Sequence, residues 1–114
     1  MNAISKSNQD SFSDDIQSIA IAIVDFSGIW CAPCRITESI VVDSAEKNSD
    51  IKFFKIDVDE NPQLVANFEV RSIPTTLFFK NGNVVNRITG VFTQSHFNDL
   101  IEETRKLEIN EIKK

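Results

Sequence analysis

The sequence at residues 19–34 reads Ile-Ala-Ile-Ala-Ile-Val-Asp-Phe-Ser-Gly-Ile-Trp-Cys-Ala-Pro-Cys and decides the fold class. Its first part, Ile19 to Ser27, is apolar and rich in β-branched residues, which is typical of a strand buried on both faces. Two cysteines follow it closely, and a helix is predicted from Ala32 to about Asn48. The sequence therefore places Cys31 and Cys34 at a junction between a buried strand and a helix.

Strands and helices are predicted to alternate around this junction. Strands separated by helices pair in parallel, whereas Asn81-Gly82 between two apolar runs predicts an antiparallel hairpin. We therefore expect an α/β fold with a mixed five-stranded central sheet and helices on both faces. The predicted strands are Ile4–Asn8, Ile19–Ser27, Ile51–Val58, Thr75–Lys80 and Val84–Thr89. The predicted helices run from Ser11 to about Ser18, from Ala32 to about Asn48 with Ile36, Ile40, Val41 and Ala45 inward, from Pro62 onward with Leu64, Val65 and Phe68 inward, and from Thr93 or Ser95 onward.

Length and composition favour one domain covering residues 1–114. Apolar residues make up 41% of the chain and charged residues 25%, which suits an ordinary globular core. The net charge of −5 and the lack of a Lys/Arg block argue against nucleic acid and anionic membranes as partners. The first ten residues lack the apolar core of a signal peptide, and Ile19–Val24 is too short to span a bilayer, so a cytoplasmic protein is expected.

The two cysteines are the only ones in the chain, and a bond between them closes too short a loop to add much stability. A reactive pair is the better explanation. The positive end of a helix favours a thiolate at Cys31, which is expected to attack, while Cys34, one turn later and more buried, resolves the mixed disulfide. Pro33 removes a donor that would stabilise the thiolate, which makes the pair more reducing. Half of a zinc site, with His96 as the only histidine, and two unreactive buried thiols remain as alternatives.

Several short motifs occur in a fixed order and spacing along the chain. They are Val24-Asp25-Phe26, Trp30-Cys31-Ala32-Pro33-Cys34-Arg35, Lys55-Ile56-Asp57-Val58-Asp59, Val70-Arg71-Ser72-Ile73-Pro74-Thr75, Phe79-Lys80-Asn81-Gly82 and Gly90. Together they resemble the thioredoxin family essentially from end to end. The resemblance implies the thioredoxin fold and a monomeric protein-disulfide reductase that binds no cofactor. Its partners would be disulfide-containing proteins and a flavin-containing, NADPH-dependent thioredoxin reductase.

The resemblance also implies that two further residues, Asp25 and Lys55, support the chemistry of the cysteines. Asp25 matches the family's buried aspartate beneath the resolving cysteine, where burial raises the pKa and the carboxylate accepts the proton of Cys34. Lys55 matches the lysine that neighbours this aspartate. The alternatives are a structural aspartate near the end of the sheet and an ordinary surface lysine.

A docking rim for the partner is implied as well. Pro74 matches the family's cis-proline, and the backbone of Ile73 would pair with a bound target strand. The alternative for Pro74 is a trans proline that starts a strand. The rim residues are Trp30, Ala32, Pro33, Ile73, Pro74, Gly90 and Val91.

Several positions depart from the common family pattern. Ala32 replaces a glycine between the cysteines, Ser27 a tryptophan and Ser39 a helix-kinking proline, while Glu69 and Ser72 stand where glycines are frequent. These changes bear on the redox potential and the preferred partner, and they remove no reacting group. An oxidase or isomerase of the same fold and a non-catalytic subunit of a larger enzyme are the rival functions.

Overall fold

The computed structural model describes residues 4–107, and the elements within them follow the predicted order. The five strands and four helices of this range all lie close to their predicted positions. The limits of the predicted domain stay a prediction, because residues 1–3 and 108–114 lie outside the described residues. The elements are β1 (Ile4–Lys6), α1 (Phe12–Gln17), β2 (Ile21–Ser27), α2 (Ala32–Lys47), β3 (Lys52–Asp57), α3 (Pro62–Asn67), β4 (Thr75–Lys80), β5 (Asn83–Thr89) and α4 (Gln94–Lys106).

The sheet has the strand order β1-β3-β2-β4-β5 and mixes parallel with antiparallel pairs. β2 runs parallel to β3 and antiparallel to β4, so it occupies the centre. All seven residues of β2 are buried, as its apolar sequence predicts. The expected mixed five-stranded sheet is confirmed.

Helices cover both faces of this sheet. Val24 and Phe26 of β2 pack in one apolar layer with residues of α1 and α3, whereas Ile21 and Ile23 pack in a second layer with residues of α2 and α4. Side chains alternate between faces along a strand, so Asp25 points into the second layer, together with Ile23. Its carboxylate is thereby directed toward the layer that contains the cysteine helix.

The inward face of α2 differs from the predicted one. Ile36 is 56% exposed, so its predicted inward position is wrong. The buried stripe instead begins at Cys34 and continues through Thr37, Val41 and Ser44, to Ala45. These residues recur every three or four positions, but the stripe includes small polar side chains. Apolar residues alone therefore indicated a stripe that is rotated from the real one.

The hairpin between β4 and β5 has the two-residue turn that Asn81-Gly82 predicts. Lys80 pairs with Asn83, and Asn81 and Gly82 have φ angles of 51° and 83°. Two positive φ angles are the mark of a type I′ turn, whose twist suits a hairpin. An added Cβ at Gly82 would meet no atom within 4 Å, so only the backbone conformation selects glycine there.

Gly82→Ala is therefore expected to lower the free energy of unfolding by about 1 kcal/mol, because alanine resists a positive φ. Urea denaturation of both proteins measures the difference. Asn81→Gly in the same turn is the matched control and should be at least as stable as the wild type. A Gly82→Ala protein with unchanged stability would contradict this account of the turn.

Candidate active site

Cys31 occupies the position that caps the N-terminus of α2. Its backbone is extended, and its Sγ accepts a hydrogen bond from the backbone N–H of Cys34 at 3.2 Å. An oxygen of Ser, Thr, Asp or Asn usually fills this role. The two cysteines form a disulfide bond with their Cα atoms 5.3 Å apart. The same N–H group is placed to stabilise a Cys31 thiolate when the disulfide is reduced.

The exposure of the two cysteines is almost equal, at 5% for Cys31 and 4% for Cys34. The expected difference in burial is therefore wrong for this disulfide form, in which both residues lie in the same tight turn. Cys34 does differ in one respect, since it lines a cavity of about 210 Å³ together with Glu38 and Lys55. The residues thus differ in their local contacts rather than in total exposure.

A row of three polar residues crosses the sheet beneath α2. Lys55 on β3 and Thr76 on β4 both pair with Asp25 on β2, so the three side chains share one face. Asp25 is only 1% exposed, and neither of its carboxylate oxygens has a hydrogen-bond partner within residues 4–107. We call Lys55, Asp25 and Thr76 the polar row.

Burial raises the pKa of Asp25 to about 7, as the sequence led us to expect. The positive charge of Lys55 lowers this pKa, and the negative charge of Glu38 raises it. Lys55 Nζ forms its ion pair with Glu38 Oε2, so it acts on Asp25 as a neighbouring charge. A carboxyl group that titrates near neutral pH is suited to take up and release a proton.

Trp30 and Ile73, both predicted rim residues, lie side by side next to the cysteines. A Cβ added to Gly28 would be 3.0 Å from the Trp30 ring and 3.1 Å from Ile73 Cδ1, so both side chains cover this glycine. Trp30 is 65% exposed, and its Nε1 donates a hydrogen bond to Asp59 Oδ2 at 2.7 Å. The indole ring is thereby fixed while its apolar surface faces outward.

The remaining predicted rim residues surround the same end of the sheet. The Ile73–Pro74 peptide bond is cis, as the resemblance implies, and the Gly90 N–H donates to the Pro74 carbonyl at 2.8 Å. Phe26 pairs with Thr75, which places this bond beside the end of β2 that leads to Cys31. Exposed residues of the predicted rim are Ala32 and Pro33 in the first turn of α2, and Val91 after Gly90.

One known protein family matches nearly the whole chain. The thioredoxin family model matches residues 3–103 of the chain. The chain belongs to the thioredoxin family. Its Cys31–Cys34 pair is the redox-active pair of a thiol-disulfide oxidoreductase, which confirms the predicted class of chemistry.

Individual relatives agree with this assignment. The thioredoxin of Staphylococcus saprophyticus is 37% identical over 102 residues, which cover 89% of this chain and 97% of that protein. The thioredoxin of Staphylococcus haemolyticus is 34% identical over the same shares of both chains. The solved structure of a mutant thioredoxin from Halobacterium salinarum NRC-1 has a TM-score of 0.84 and 32% identity, covering 92% of this chain and 93% of that one.

Residues 4–107 lack two features that would point to other functions. No helix there has the length and apolar character needed to cross a lipid bilayer. No group of three or more His, Cys, Asp or Glu side chains in that range is arranged to hold a metal ion.

Four residues near the cysteines were not singled out from the sequence. Glu38 pairs with Lys55, Asp59 holds Trp30, Gly28 supports Trp30 and Ile73, and Thr76 completes the polar row. Glu38 is four residues after Cys34, so helical spacing could have placed it near the site. The positions of Asp59 and Thr76 depend on strand pairing, which local sequence does not reveal.

The raised pKa of Asp25 predicts a stability effect that depends on pH. Between about pH 4 and pH 7 the unfolded chain holds this carboxyl ionised, whereas the folded protein holds it protonated. Its contribution to stability is therefore present below about pH 4 and is lost as the pH rises to about 7. Asp25→Asn should become more stable than the wild type across this window, by about 1.4 kcal/mol per pH unit.

Urea denaturation of the oxidised proteins at pH 4.5 to 8 measures this difference. The exposed Asp99→Asn variant is the matched control, and its difference from the wild type should stay nearly constant with pH. An Asp25→Asn difference that is equally flat would show that the folded protein does not hold this carboxyl protonated.

Proposed function

We propose that this chain reduces disulfide bonds in other proteins, with Cys31 as the nucleophile and Cys34 as the resolving cysteine. The observation that carries this proposal is the hydrogen bond that the Cys34 N–H donates to Cys31 Sγ at the start of α2. A donor fixed at a helix N-terminus lowers the free energy of the thiolate relative to the thiol. Cys31 has this position, whereas Cys34 lies inside the helix.

The reaction proceeds in two exchanges. The Cys31 thiolate attacks one sulfur of the target disulfide and forms a mixed disulfide, and the other target sulfur leaves as a thiolate that takes up a proton. Cys34 then loses its proton to Asp25 and attacks Cys31 Sγ. The Cys31–Cys34 disulfide forms, and the first target sulfur leaves. Two electrons have moved from the cysteine pair to the target.

Asp25 is proposed as the base for the second exchange. Its pKa of about 7 means that a substantial fraction is ionised at neutral pH and that the protonated form also persists. Lys55 and Glu38 are proposed to tune this pKa in opposite directions. They also line the cavity at Cys34, which offers the proton an exit to solvent after each cycle.

The target is proposed to dock on the rim formed by Trp30, Ala32, Pro33, Ile73, Pro74, Gly90 and Val91. Trp30 and Val91 expose 65% and 50% of their surface, so both supply apolar area beside the cysteines. The backbone of Ile73 lies just before β4 and would extend the sheet by pairing with an extended target segment.

The oxidised protein is proposed to be reduced again by a flavin-containing, NADPH-dependent thioredoxin reductase, without a cofactor bound to this chain. We further propose that it acts as a monomer in the cytoplasm, where thiols are kept reduced. The staphylococcal relatives named thioredoxin support this cycle, since they match nearly their full length.

The order of attack predicts different results for the two cysteines. With dithiothreitol as electron donor, the wild type should reduce insulin disulfides and Cys31→Ser should not, because the nucleophile is lost. Cys34→Ser should form a mixed disulfide with the target that persists. Non-reducing electrophoresis detects this species, and turbidity follows insulin reduction.

Cys31→Ser provides the matched control for electrophoresis, because it should form no such species with the same target. If the mixed disulfide accumulated in Cys31→Ser instead, Cys34 would be the nucleophile and Cys31 the resolving cysteine. Full insulin reduction by Cys31→Ser would overturn the mechanism, whereas retained biological function in a Cys31→Ser/Cys34→Ser double variant would favour the rival in which the chain is a non-catalytic subunit.

The neighbours of Asp25 predict opposite shifts of a pH profile. Lys55→Met removes a positive charge and should raise the pKa of Asp25, whereas Glu38→Gln removes a negative charge and should lower it, each by about one unit. The release of target by Cys34 slows below this pKa, since a protonated Asp25 accepts no proton. The acid limb of the pH profile for release should therefore move to higher pH in Lys55→Met and to lower pH in Glu38→Gln.

Single-turnover release from a preformed mixed disulfide, measured from pH 5 to 9, gives this profile. The exposed Lys52→Met variant controls for a simple loss of positive charge and should leave the profile in place. Shifts in the same direction for both ion-pair variants would mean that breaking the pair, rather than its charges, affects release.

A further inference from the structure

Thr76 is the least explained member of the polar row. It is 0% exposed, and its Oγ1 has no hydrogen-bond partner within residues 4–107. On the same face of the sheet its neighbours include the apolar Phe78 on β4 and Ile88 on β5. A buried hydroxyl without a partner costs about 1–3 kcal/mol, and valine has the same shape without this cost. The presence of a hydroxyl at this position therefore points to a chemical role.

The second unpartnered group on this face is the carboxyl of Asp25. Asp25 and Thr76 are paired across β2 and β4, so their Cβ atoms are about 5 Å apart. No direct hydrogen bond joins them, because all three side-chain oxygens lack partners within the described residues. Two buried polar groups at this separation are typically linked through a water molecule that hydrogen-bonds to both.

We propose that Thr76 is a positioning residue for Asp25, whose hydroxyl orders one water molecule against the carboxylate at the point where the Cys34 proton arrives. This inference rests on the proposed role of Asp25 as the base. The proton leaves Cys34 Sγ, one proton of the water passes to the Asp25 carboxylate, and the water regains a proton from Cys34. Thr76 gains and loses no proton in this step.

The other groups that face Asp25 have different partners or roles, so Thr76 is the one available to hold this water molecule. Lys55 faces Asp25 from β3 but donates to Glu38 of α2, and Cys34 of α2 is the proton source. Ser27, on the same face of β2, is a second buried hydroxyl but lines the cavity at Cys34, so Thr76 is the neutral donor on the β4 side, away from the ion pair. A donor to the carboxylate favours its ionised form, which opposes the effect of burial on the pKa.

Thr76→Val removes the hydroxyl and keeps the shape, and Thr76→Ser keeps the hydroxyl. Carbon-13 NMR of the Asp25 carboxyl in the oxidised protein reports its pKa directly, without any assay of activity. We expect Thr76→Val to raise this pKa by about one unit and Thr76→Ser to leave it near the wild-type value. An unchanged pKa in Thr76→Val would overturn the inference.

Kinetics separate this role from a structural one. Thr76→Val should slow release of target at pH 7 about fivefold, because a one-unit rise from a pKa of about 7 lowers the ionised fraction of Asp25 by this factor, while the first attack by Cys31 keeps its rate. Thr76→Ser should restore release. In an Asp25→Asn background, Thr76→Val should add no further loss, because Thr76 acts only through Asp25. A further loss of about fivefold in that background would contradict the inference.

The same variants distinguish failure of this inference from failure of the proposed base. If Asp25→Asn releases target at the wild-type rate, Asp25 is not the base, and the NMR result for Thr76→Val still decides whether the hydroxyl acts on the carboxyl. A high-resolution crystal structure of the wild type tests the water itself. An electron-density map without a water within about 3.2 Å of both side chains would overturn the proposal even if Thr76→Val fails to fold.

Discussion

The burial of Asp25 in the central strand is the constraint on which the other features of this molecule depend. β2 has a strand on each side and helices over both faces, so its side chains are removed from water. In such surroundings an ionised carboxylate is costly, and the pKa of Asp25 rises to about 7. At neutral pH the fold must offset several kcal/mol for this one group, a large part of the usual stability of a domain. The apolar layers above and below the sheet supply that offset.

The same strand also determines where the cysteines lie. β2 ends at Ser27 and α2 begins at Ala32, so Cys31 becomes the capping residue of a helix that packs over Asp25's face of the sheet. A thiol at the helix start is favoured as a thiolate, while a carboxyl below the helix is disfavoured as a carboxylate. The fold therefore favours the reactive form of Cys31 and keeps beneath α2 a carboxyl with a pKa of about 7, which suits it to take up and release a proton.

Local sequence predicted the elements well because each carries its own signal: β-branched runs for β2 and β3, Asn81-Gly82 for the hairpin, and Thr93 for the start of α4. It failed where contacts between elements determine which side chains are buried and which lie next to each other. Ile36 was placed inward because it is apolar, yet the buried stripe of α2 starts from Cys34 and includes Thr37. The cysteines were predicted from their spacing at the junction of a strand and a helix, whereas Asp25 and the rim around Pro74 were predicted through family motifs. Thr76 escaped notice because only the pairing of β2 with β4 brings it to Asp25.

The departures from the family pattern are accommodated in different ways. Glu69 stands where glycine is frequent and keeps a positive φ of 52°, so the chain accepts a conformation that favours glycine. Ser39 replaces a proline, and α2 continues through it as one helix of 16 residues, with Ser39 Oγ donating to the Ile36 carbonyl at 2.9 Å. Ala32 is exposed in the first turn of α2, so its methyl group faces solvent rather than the core. The substitution at Ala32 therefore bears on the proposed docking rim, whereas Ser27, which is buried and lines the cavity at Cys34, is the departure that lies nearest to the proposed proton transfer.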